Sequence, residues 1–383
     1  MALATLLAHL AAGRFGRGLA LTSGGASTAS AAHRLHLLRT SPPPPLPHLV
    51  SLARWSRTHF RAPLRLPLPL HALLLAHLAS DGGFHPLLLI DQGDEVLLFD
   101  PAYETYEKCI ELARGVPVYV PLNPPSWTLD KEKFLKSFTS RTKAVVLNSP
   151  HNPTGKVFSR EELLIIAQAC QKMDCFAITD EVYEYITYDE NRHISLASLP
   201  GMQERTIITS SQSKTYSVTG WRIGWACAAA SIASAIRNIH VKLTDSAPAP
   251  FQEAALIALT STADYYTSLK NLSLNANYDS FRSSSSSHKV QSVFAELPRS
   301  WQLSDIEFVT NLIKDAGVAA VPGRGFFHRG CDRESYHHRY VRFAFCKGDD
   351  TLKVAATKMR KVCRQGQPRP TGRQEDQTAS TSS

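Results

Sequence analysis

The sequence predicts an α/β fold, with a mostly parallel sheet in a large domain and a smaller α+β domain after it. From Gly93 onward, short apolar runs typical of buried strands alternate with helical patterns, which favours parallel strands joined by helices. Two helix starts are marked by capping boxes, in Ser159 to Glu162 and in Ser304 to Glu307. In such a fold the functional residues are expected at the carboxyl ends of the strands.

The first helix is predicted to begin at Pro101 and to end at Gly115, because proline is favoured in a first helical turn and glycine after a last one. The serine run from Ser283 to Ser287 interrupts the pattern, and no strand is predicted between this run and Ser304. Strands are predicted at 94–100, 116–122, 143–148, 176–179, 206–209, 223–227, 318–321 and 340–345, and further helices at 129–138, 159–172, 250–272, 304–315 and 350–362.

The chain of 383 residues has a formal net charge of +9, but this excess is confined to its start. Residues 1–80 contain eight arginines and no acidic residue, whereas the remainder has 34 basic and 33 acidic residues. A neutral body gives no reason to expect a nucleic-acid-binding surface. The seven cysteines are scattered without a Cys-x-x-Cys pair, and no His-x-x-x-His site stands out, so no metal site is predicted.

Composition divides the chain into an extension (1–80), a large domain (81–275), an incomplete small domain (276–364) and a tail expected to be disordered (365–383). The extension is rich in Ala, Leu and Arg, as mitochondrial and chloroplast transit peptides are; a cytoplasmic disordered extension is the alternative. Its apolar run is short and interrupted by prolines, so no membrane span is predicted.

Lys214 follows a predicted strand and lies among hydroxyl residues, with Arg222 eight residues later. A lysine in such a semi-buried position is a candidate for forming a Schiff base with a carbonyl group. Ser211, Ser213 and Arg222 together suit a phosphate dianion, because arginine supplies paired donors and the serines add neutral ones. A reactive amine beside a phosphate site indicates pyridoxal phosphate.

Two further motifs occur upstream of this lysine. Asn148 to Gly155 reads Asn-Ser-Pro-His-Asn-Pro-Thr-Gly, and Asp180 begins an Asp-x-x-Tyr pattern that ends at Tyr183. Together with the Ser-x-x-Lys-x(7)-Arg element around Lys214, they resemble the class I/II aminotransferases, which are fold-type I pyridoxal-phosphate enzymes. The resemblance covers 93–275 and 303–362. Segments 151–155, 196–202 and 341–347 are similar to the subgroup of kynurenine, glutamine and methionine aminotransferases.

The resemblance implies roles for the residues that surround the cofactor ring. Lys214 would hold the cofactor as a Schiff base and then move a proton between the substrate Cα and the cofactor. Asp180 would keep the pyridine nitrogen protonated, and Tyr183 and Asn152 would donate hydrogen bonds to the ring oxygen. Tyr103 would stack on the ring. Outside the resemblance, Asp180 could be a helix cap, Asn152 a turn residue and Tyr103 a core residue.

At the substrate, the resemblance implies that Arg342 binds the α-carboxylate with its two-pronged guanidinium, next to Asn152. Ser211, Ser213 and Arg222 would bind the cofactor phosphate. Taken alone, Arg342 could equally be an edge-strand arginine. The reaction implied is transamination between an L-amino acid and a 2-oxo acid. The alternatives are a cysteine-conjugate or other carbon-sulfur lyase and a catalytically impaired remnant without activity.

The sequence departs from the family pattern before Gly93, where the family has a first strand, glycine-rich segments and a phosphate-binding helix start. Only Leu21 to Gly25 is similar to that helix start. We therefore expect a truncated or mis-spliced member, with the first strand missing and the small domain incomplete. For such a chain we expect weak cofactor binding, low activity and poor formation of the homodimer typical of the family.

Overall fold

The computed structural model describes residues 89–188, 190–275, 292–328 and 337–365. The extension, with Leu21 to Gly25, lies outside the described residues, as do the serine run Ser283 to Ser287 and the tail beyond residue 365. The expectations for those three segments therefore stay predictions.

Seven strands form the large sheet in the order β3-β2-β1-β4-β5-β6-β7. The strands β2, β1, β4, β5 and β6 are parallel, whereas β3 and β7 pair antiparallel at the two edges. The prediction of a mostly parallel sheet is therefore confirmed. The strands are β1 Glu95–Asp100, β2 Val116–Asn123, β3 Thr128–Leu129, β4 Thr142–Asn148, β5 Phe176–Asp180, β6 Thr206–Ser211 and β7 Gly224–Cys227.

Strand β1 has apolar side chains on both of its faces. Every residue of β1 is buried, because the sheet is covered on both faces. Leu97 and Phe99 belong to the hydrophobic cluster on one face, whereas Val96 and Leu98 belong to the cluster on the other. The two-residue repeat of a strand therefore sends alternate side chains into two separate cores.

Helices connect and flank the strands, and two of them begin where the sequence predicts. Ser159 and Ser304 each accept a hydrogen bond from the main chain three residues later, and the glutamate at that position bonds back, so both capping boxes are formed. The helices are α1 Glu104–Leu112, α2 Lys131–Lys136, α3 Arg160–Lys172, α4 Gln212–Thr215, α5 Ala230–Thr244, α6 Ala249–Leu259, α7 Ala263–Asn275, α8 Asp305–Ala316 and α9 Asp349–Gln365.

Two helix predictions were wrong in detail. The single helix predicted at 250–272 is two helices, α6 and α7. They separate at Thr260, whose hydroxyl donates to Ile257 O over 2.7 Å and so competes with the helical pattern. The first helix begins at Glu104, not Pro101, and its last residue is Leu112. The left-handed residue after its end is Arg114, at φ 60°, not Gly115. Gly115 is needed for space instead, because an added Cβ would lie 2.8 Å from the side chain of Ile90.

A second sheet of three antiparallel strands has the order β8-β10-β9. Its strands are β8 Ser292–Glu296, β9 Val321–Pro322 and β10 Tyr340–Ala344. The prediction of no strand before Ser304 was wrong, because β8 pairs with β10 along its whole length. Phe294 holds β8 in place, since its ring is buried and stacks on Tyr340. The strand predicted at 318–321 is reduced to the short β9.

A turn from Gly323 to Phe326 joins the second sheet to the first. Arg324 is bonded to the buried carboxylate of Asp305 through both its Nε, at 2.8 Å, and its main-chain N–H, at 2.9 Å. Phe326 O accepts a hydrogen bond of 2.7 Å from Ala102 N, which lies just after β1. Gly323 is packed so closely that an added Cβ would collide with the main-chain carbonyl of Tyr340.

This packing predicts that Gly323→Ala is destabilising. The new methyl group meets rigid main chain, so the free energy of unfolding should fall by about 1–3 kcal/mol. Gly325→Ala is the matched control, because an added Cβ there meets nothing within 4 Å. That variant should stay within about 0.5 kcal/mol of the starting protein. Urea unfolding measures both; equal midpoints for the two variants would contradict the packing argument.

Candidate active site

The site is built on the carboxyl ends of three adjacent parallel strands. Asn148 at the end of β4 lies opposite Asp180 at the end of β5, and Asp180 lies opposite Thr209 in β6. The side chain of Asn148 donates to Asp180 O over 3.0 Å and accepts from Asn152 N over 2.6 Å. Asn148 thereby fixes the loop that carries Asn152 beside the strand that carries Asp180.

Asp180 is an acid held in a poorly solvated position. Its carboxylate accepts hydrogen bonds from the Tyr106 hydroxyl at 2.7 Å and from Val182 N at 3.2 Å. Burial raises the pKa of Asp180 to about 6, although the bond from Tyr106 and the charge of Lys214 work against that rise. The site therefore contains an acid that titrates just below neutrality.

Tyr106, in α1, is a site residue that was not predicted from the sequence. Desolvation raises its pKa above the usual range, and the contact with Asp180 adds to this effect, so it stays a neutral hydrogen-bond donor. Tyr103 comes immediately before α1 and is partly exposed, and its ring meets that of Tyr106 edge-on at 5.6 Å. The three-residue spacing of the two tyrosines is the signal that could have linked them.

Lys214 lies in α4, the short helix that follows β6, where its charge acts on Asp180. Ser211 caps this helix by accepting a hydrogen bond from Ser213 N. Arg222 has a left-handed backbone, at φ 59°, and donates to Thr219 O over 2.8 Å. The hydroxyl of Thr219 in turn donates to Ser213 O, so Arg222 is linked through Thr219 to the residue that precedes Lys214.

Tyr183 lies between the two ends of the site. Its ring is buried, and desolvation raises the pKa of its hydroxyl, with a further contribution from the charge of Asp180. The charge of Arg342 acts on the same hydroxyl in the opposite sense. Tyr183 is therefore near both the acid and the arginine, and it is protonated at neutral pH.

Arg342 and Asn152, which are 190 residues apart in the chain, meet directly. The Nη1 atom of Arg342 donates to Asn152 Oδ1 over 3.0 Å. Strand β10 is the central strand of its sheet, so the alternative of an edge-strand arginine is excluded. The contact brings a guanidinium from the second sheet to the strand ends of the first.

Glu181, which follows Asp180, is a second buried acid with a different role. It accepts hydrogen bonds from His193, Ser195 and Thr179 at 2.8–2.9 Å. Burial pushes its pKa up, but these three donors outweigh burial and lower the pKa overall. Glu181 therefore stays ionised, and its carboxylate joins β5 to the segment that carries His193 and Ser195.

The residues present fit pyridoxal phosphate. Within the described ranges, the hydroxyl of Ser213 is buried without a hydrogen-bond partner, so it is a donor that a phosphate oxygen could use. Asp180 supplies a carboxylate for a pyridine nitrogen, and Lys214 supplies an amine for an aldehyde.

The described part of the chain contains no cluster of three His, Cys, Asp or Glu residues suited to a metal ion. None of the helices in the described residues is long and apolar enough to cross a membrane.

The chain is similar to known aminotransferases. The profile of the family Aminotransferase class I and II matches residues 83–357. Kynurenine-oxoglutarate transaminase 1 of Homo sapiens is 34% identical in an alignment of 325 positions that covers 74% of this chain and 76% of the relative. The solved N-succinyldiaminopimelate aminotransferase of Mycobacterium tuberculosis is 31% identical with a TM-score of 0.69, covering 94% of this chain and 97% of that one.

A second solved structure, the methionine aminotransferase YbdL of Escherichia coli, is 30% identical with a TM-score of 0.67, covering 76% of this chain and 75% of that one. The family match spans the strand ends that carry Asp180 and Lys214 as well as the strand that carries Arg342. The chain therefore belongs to the class I and II aminotransferases.

Proposed function

We propose that this pyridoxal-phosphate-dependent aminotransferase moves an amino group from an L-amino acid of the kynurenine, glutamine or methionine type to a 2-oxo acid such as 2-oxoglutarate. The contact between Arg342 and Asn152, beside Asp180 and Lys214, is the observation that carries the proposal. An amino acid and a 2-oxo acid share an α-carboxylate. One guanidinium can therefore orient both substrates in turn.

Lys214 is the proposed attachment point and proton carrier. Pyridoxal phosphate, the cofactor of this family, supplies an electron sink for negative charge at the substrate Cα. Lys214 would hold the cofactor through its amine, and the same amine, when free, would take the proton from the substrate Cα and return it to the cofactor. Lys214 lies in α4 directly after Ser213, and its charge acts on Asp180.

Asp180 and Tyr106 are proposed to control charge at the pyridine end. An ionised Asp180 favours a protonated ring nitrogen, and the hydrogen bond from Tyr106 stabilises the ionised form of the acid. At the opposite end, Ser211, Ser213 and Arg222 are proposed to bind the phosphate. Hydrogen bonds to a charged group contribute about 1.5–3 kcal/mol each, so three donors give substantial affinity.

The names of the relatives give different amino donors. One is named for kynurenine, one for methionine, and the M. tuberculosis enzymes for N-succinyldiaminopimelate. The ring of Tyr103 is partly exposed and lies near Tyr183, so it offers an aromatic surface beside the site. Aromatic and apolar surfaces favour kynurenine, methionine or phenylalanine over an acidic donor.

Turnover with a panel of amino donors tests the proposal. Kynurenine, glutamine, methionine, phenylalanine and N-succinyldiaminopimelate are each assayed with and without 2-oxoglutarate. We expect turnover with at least one of the first four, and only when 2-oxoglutarate is present. Arg342→Ala should raise KM for the amino acid and for 2-oxoglutarate, since both lose the same partner. Release of more than one equivalent of 2-oxo acid per bound cofactor without an acceptor would instead indicate a lyase.

Lys214→Ala should abolish covalent attachment of the cofactor. Borohydride reduction of the protein with pyridoxal phosphate, followed by peptide mass spectrometry, should locate the adduct on Lys214 and find none in the variant. Lys172→Ala, a change at an exposed lysine in the last turn of α3, is the control and should keep the adduct. An adduct on another lysine of the unchanged protein would disprove the assignment.

Cofactor affinity should fall as the pH is lowered through about 6. Asp180 is ionised above its pKa of about 6 and neutral below it, so the pairing with a protonated ring nitrogen is lost on the acid side. Each pH unit below the pKa should weaken binding about tenfold through this group. Titrating the cofactor-free protein with pyridoxal phosphate between pH 5 and 8 measures the effect.

Two variants isolate the contribution of Asp180 from the titration of the cofactor itself. Asp180→Asn should bind more weakly at pH 8 and should lose this part of the pH dependence. Tyr106→Phe removes a hydrogen bond that lowers the pKa of Asp180, so its transition should move to higher pH. Identical pH profiles for all three proteins would refute the role of Asp180.

A further inference from the structure

The guanidinium of Arg342 lies over the ring of Phe326. The Cζ atom of Arg342 is 4.7 Å from the ring centroid, which is within the range of a cation-π contact. Phe326 is buried, and it lies 16 residues before Arg342 on a different element. The family motifs that identify Arg342 do not include this phenylalanine, so the contact arises only in the folded chain.

Phe326 is itself held from several sides. Its carbonyl accepts from Ala102 N over 2.7 Å, and its ring meets Phe294 of β8 edge-on at 5.8 Å. The turn that carries it is anchored by Arg324 on the buried Asp305. A ring fixed by main chain, by a second ring and by an ion pair has little freedom to rotate, and it can therefore fix a group packed against its face.

The orientation of the guanidinium plane decides how well an arginine binds a carboxylate. Two parallel N–H bonds form only when the arginine fork is aligned with the carboxylate oxygens. The hydrogen bond to Asn152 limits rotation of the fork within its own plane. The Phe326 ring, 4.7 Å from Arg342 Cζ, limits movement of the guanidinium toward that side. The two contacts together define one orientation.

We propose that Phe326 is a positioning residue that orients Arg342 for the α-carboxylate of both substrates. The inference rests on the proposed function, because it assigns the α-carboxylate to Arg342. Phe326 acts through the guanidinium and through its aromatic face, so an aliphatic side chain of similar size cannot replace it. Ala102, which bonds to Phe326 O, precedes Tyr103, so the same turn also connects the carboxylate end of the site to the ring end.

Two reagents that react with the bound cofactor test the proposal on the full chain loaded with pyridoxal phosphate. Aminooxyacetate and O-methylhydroxylamine carry the same reactive aminooxy group, but only the first has a carboxylate. The second-order rate constant of each is measured from the absorbance change of the bound cofactor. Neither measurement needs turnover, so a chain that fails to transaminate can still be tested. The proteins compared are the unchanged chain and its variants Phe326→Leu, Phe326→Tyr and Arg342→Ala.

Phe326→Leu should slow the reaction with aminooxyacetate about twofold to thirtyfold, the range expected from loss of one cation-π contact, and leave O-methylhydroxylamine unchanged. Phe326→Tyr keeps the aromatic face and should behave like the unchanged chain. If Phe326→Leu does not fold, Phe326→Met removes the ring while keeping much of its volume.

Equal slowing of both reagents in the Phe326 variants would show a merely structural role and overturn the inference. If the ratio of the aminooxyacetate rate constant to the O-methylhydroxylamine rate constant depends on Arg342 but not on Phe326, the inference is overturned and the proposed function stands. If Arg342→Ala reacts with both reagents at the rates of the unchanged chain, Arg342 does not bind the carboxylate. Both proposals are then overturned.

Discussion

The parallel register of β4, β5 and β6 is the constraint on which the site depends. Main-chain hydrogen bonds place Asn148, Asp180 and Thr209 in one row across the strand ends. The loops that follow these strands must then start from the same edge of the sheet. Asn152, Tyr183 and Lys214 therefore come together although they are far apart in the sequence. A shift of one residue in any of the three strands would turn its side chains to the opposite face.

Burial at this edge creates two acids with opposite properties. Asp180 has few donors, and burial raises its pKa to about 6. Glu181 has three donors, and its pKa is lowered although it is also buried. The difference lies in hydrogen bonding, because both residues lose water to a similar degree. Asp180 is therefore the acid proposed to act at the cofactor ring, whereas the Glu181 carboxylate joins β5 to the segment that carries His193 and Ser195.

The second sheet contributes through a few polar anchors and close packing. Arg324 on Asp305 fixes the turn at Phe326, and Phe326 supports the guanidinium of Arg342. His328 N extends the connection by donating to Asp100 Oδ1 at the end of β1. The turn that supports Arg342, the proposed carboxylate-binding residue, is therefore attached to the first sheet at two neighbouring points, Ala102 and Asp100.

The sequence by itself determined the α/β alternation, the two capping boxes, the position of Lys214 and the motifs around Asp180 and Asn152. These features are local, since each depends on residue types within a few positions of one another. Strand β8, Tyr106 and Phe326 could not be predicted in the same way. Their importance comes from partners 44 to 74 residues away in the first two cases and from packing between elements in the third. The tertiary structure alone decided which phenol meets Asp180 and which ring supports Arg342, because strand register and side-chain packing join segments that share no local pattern.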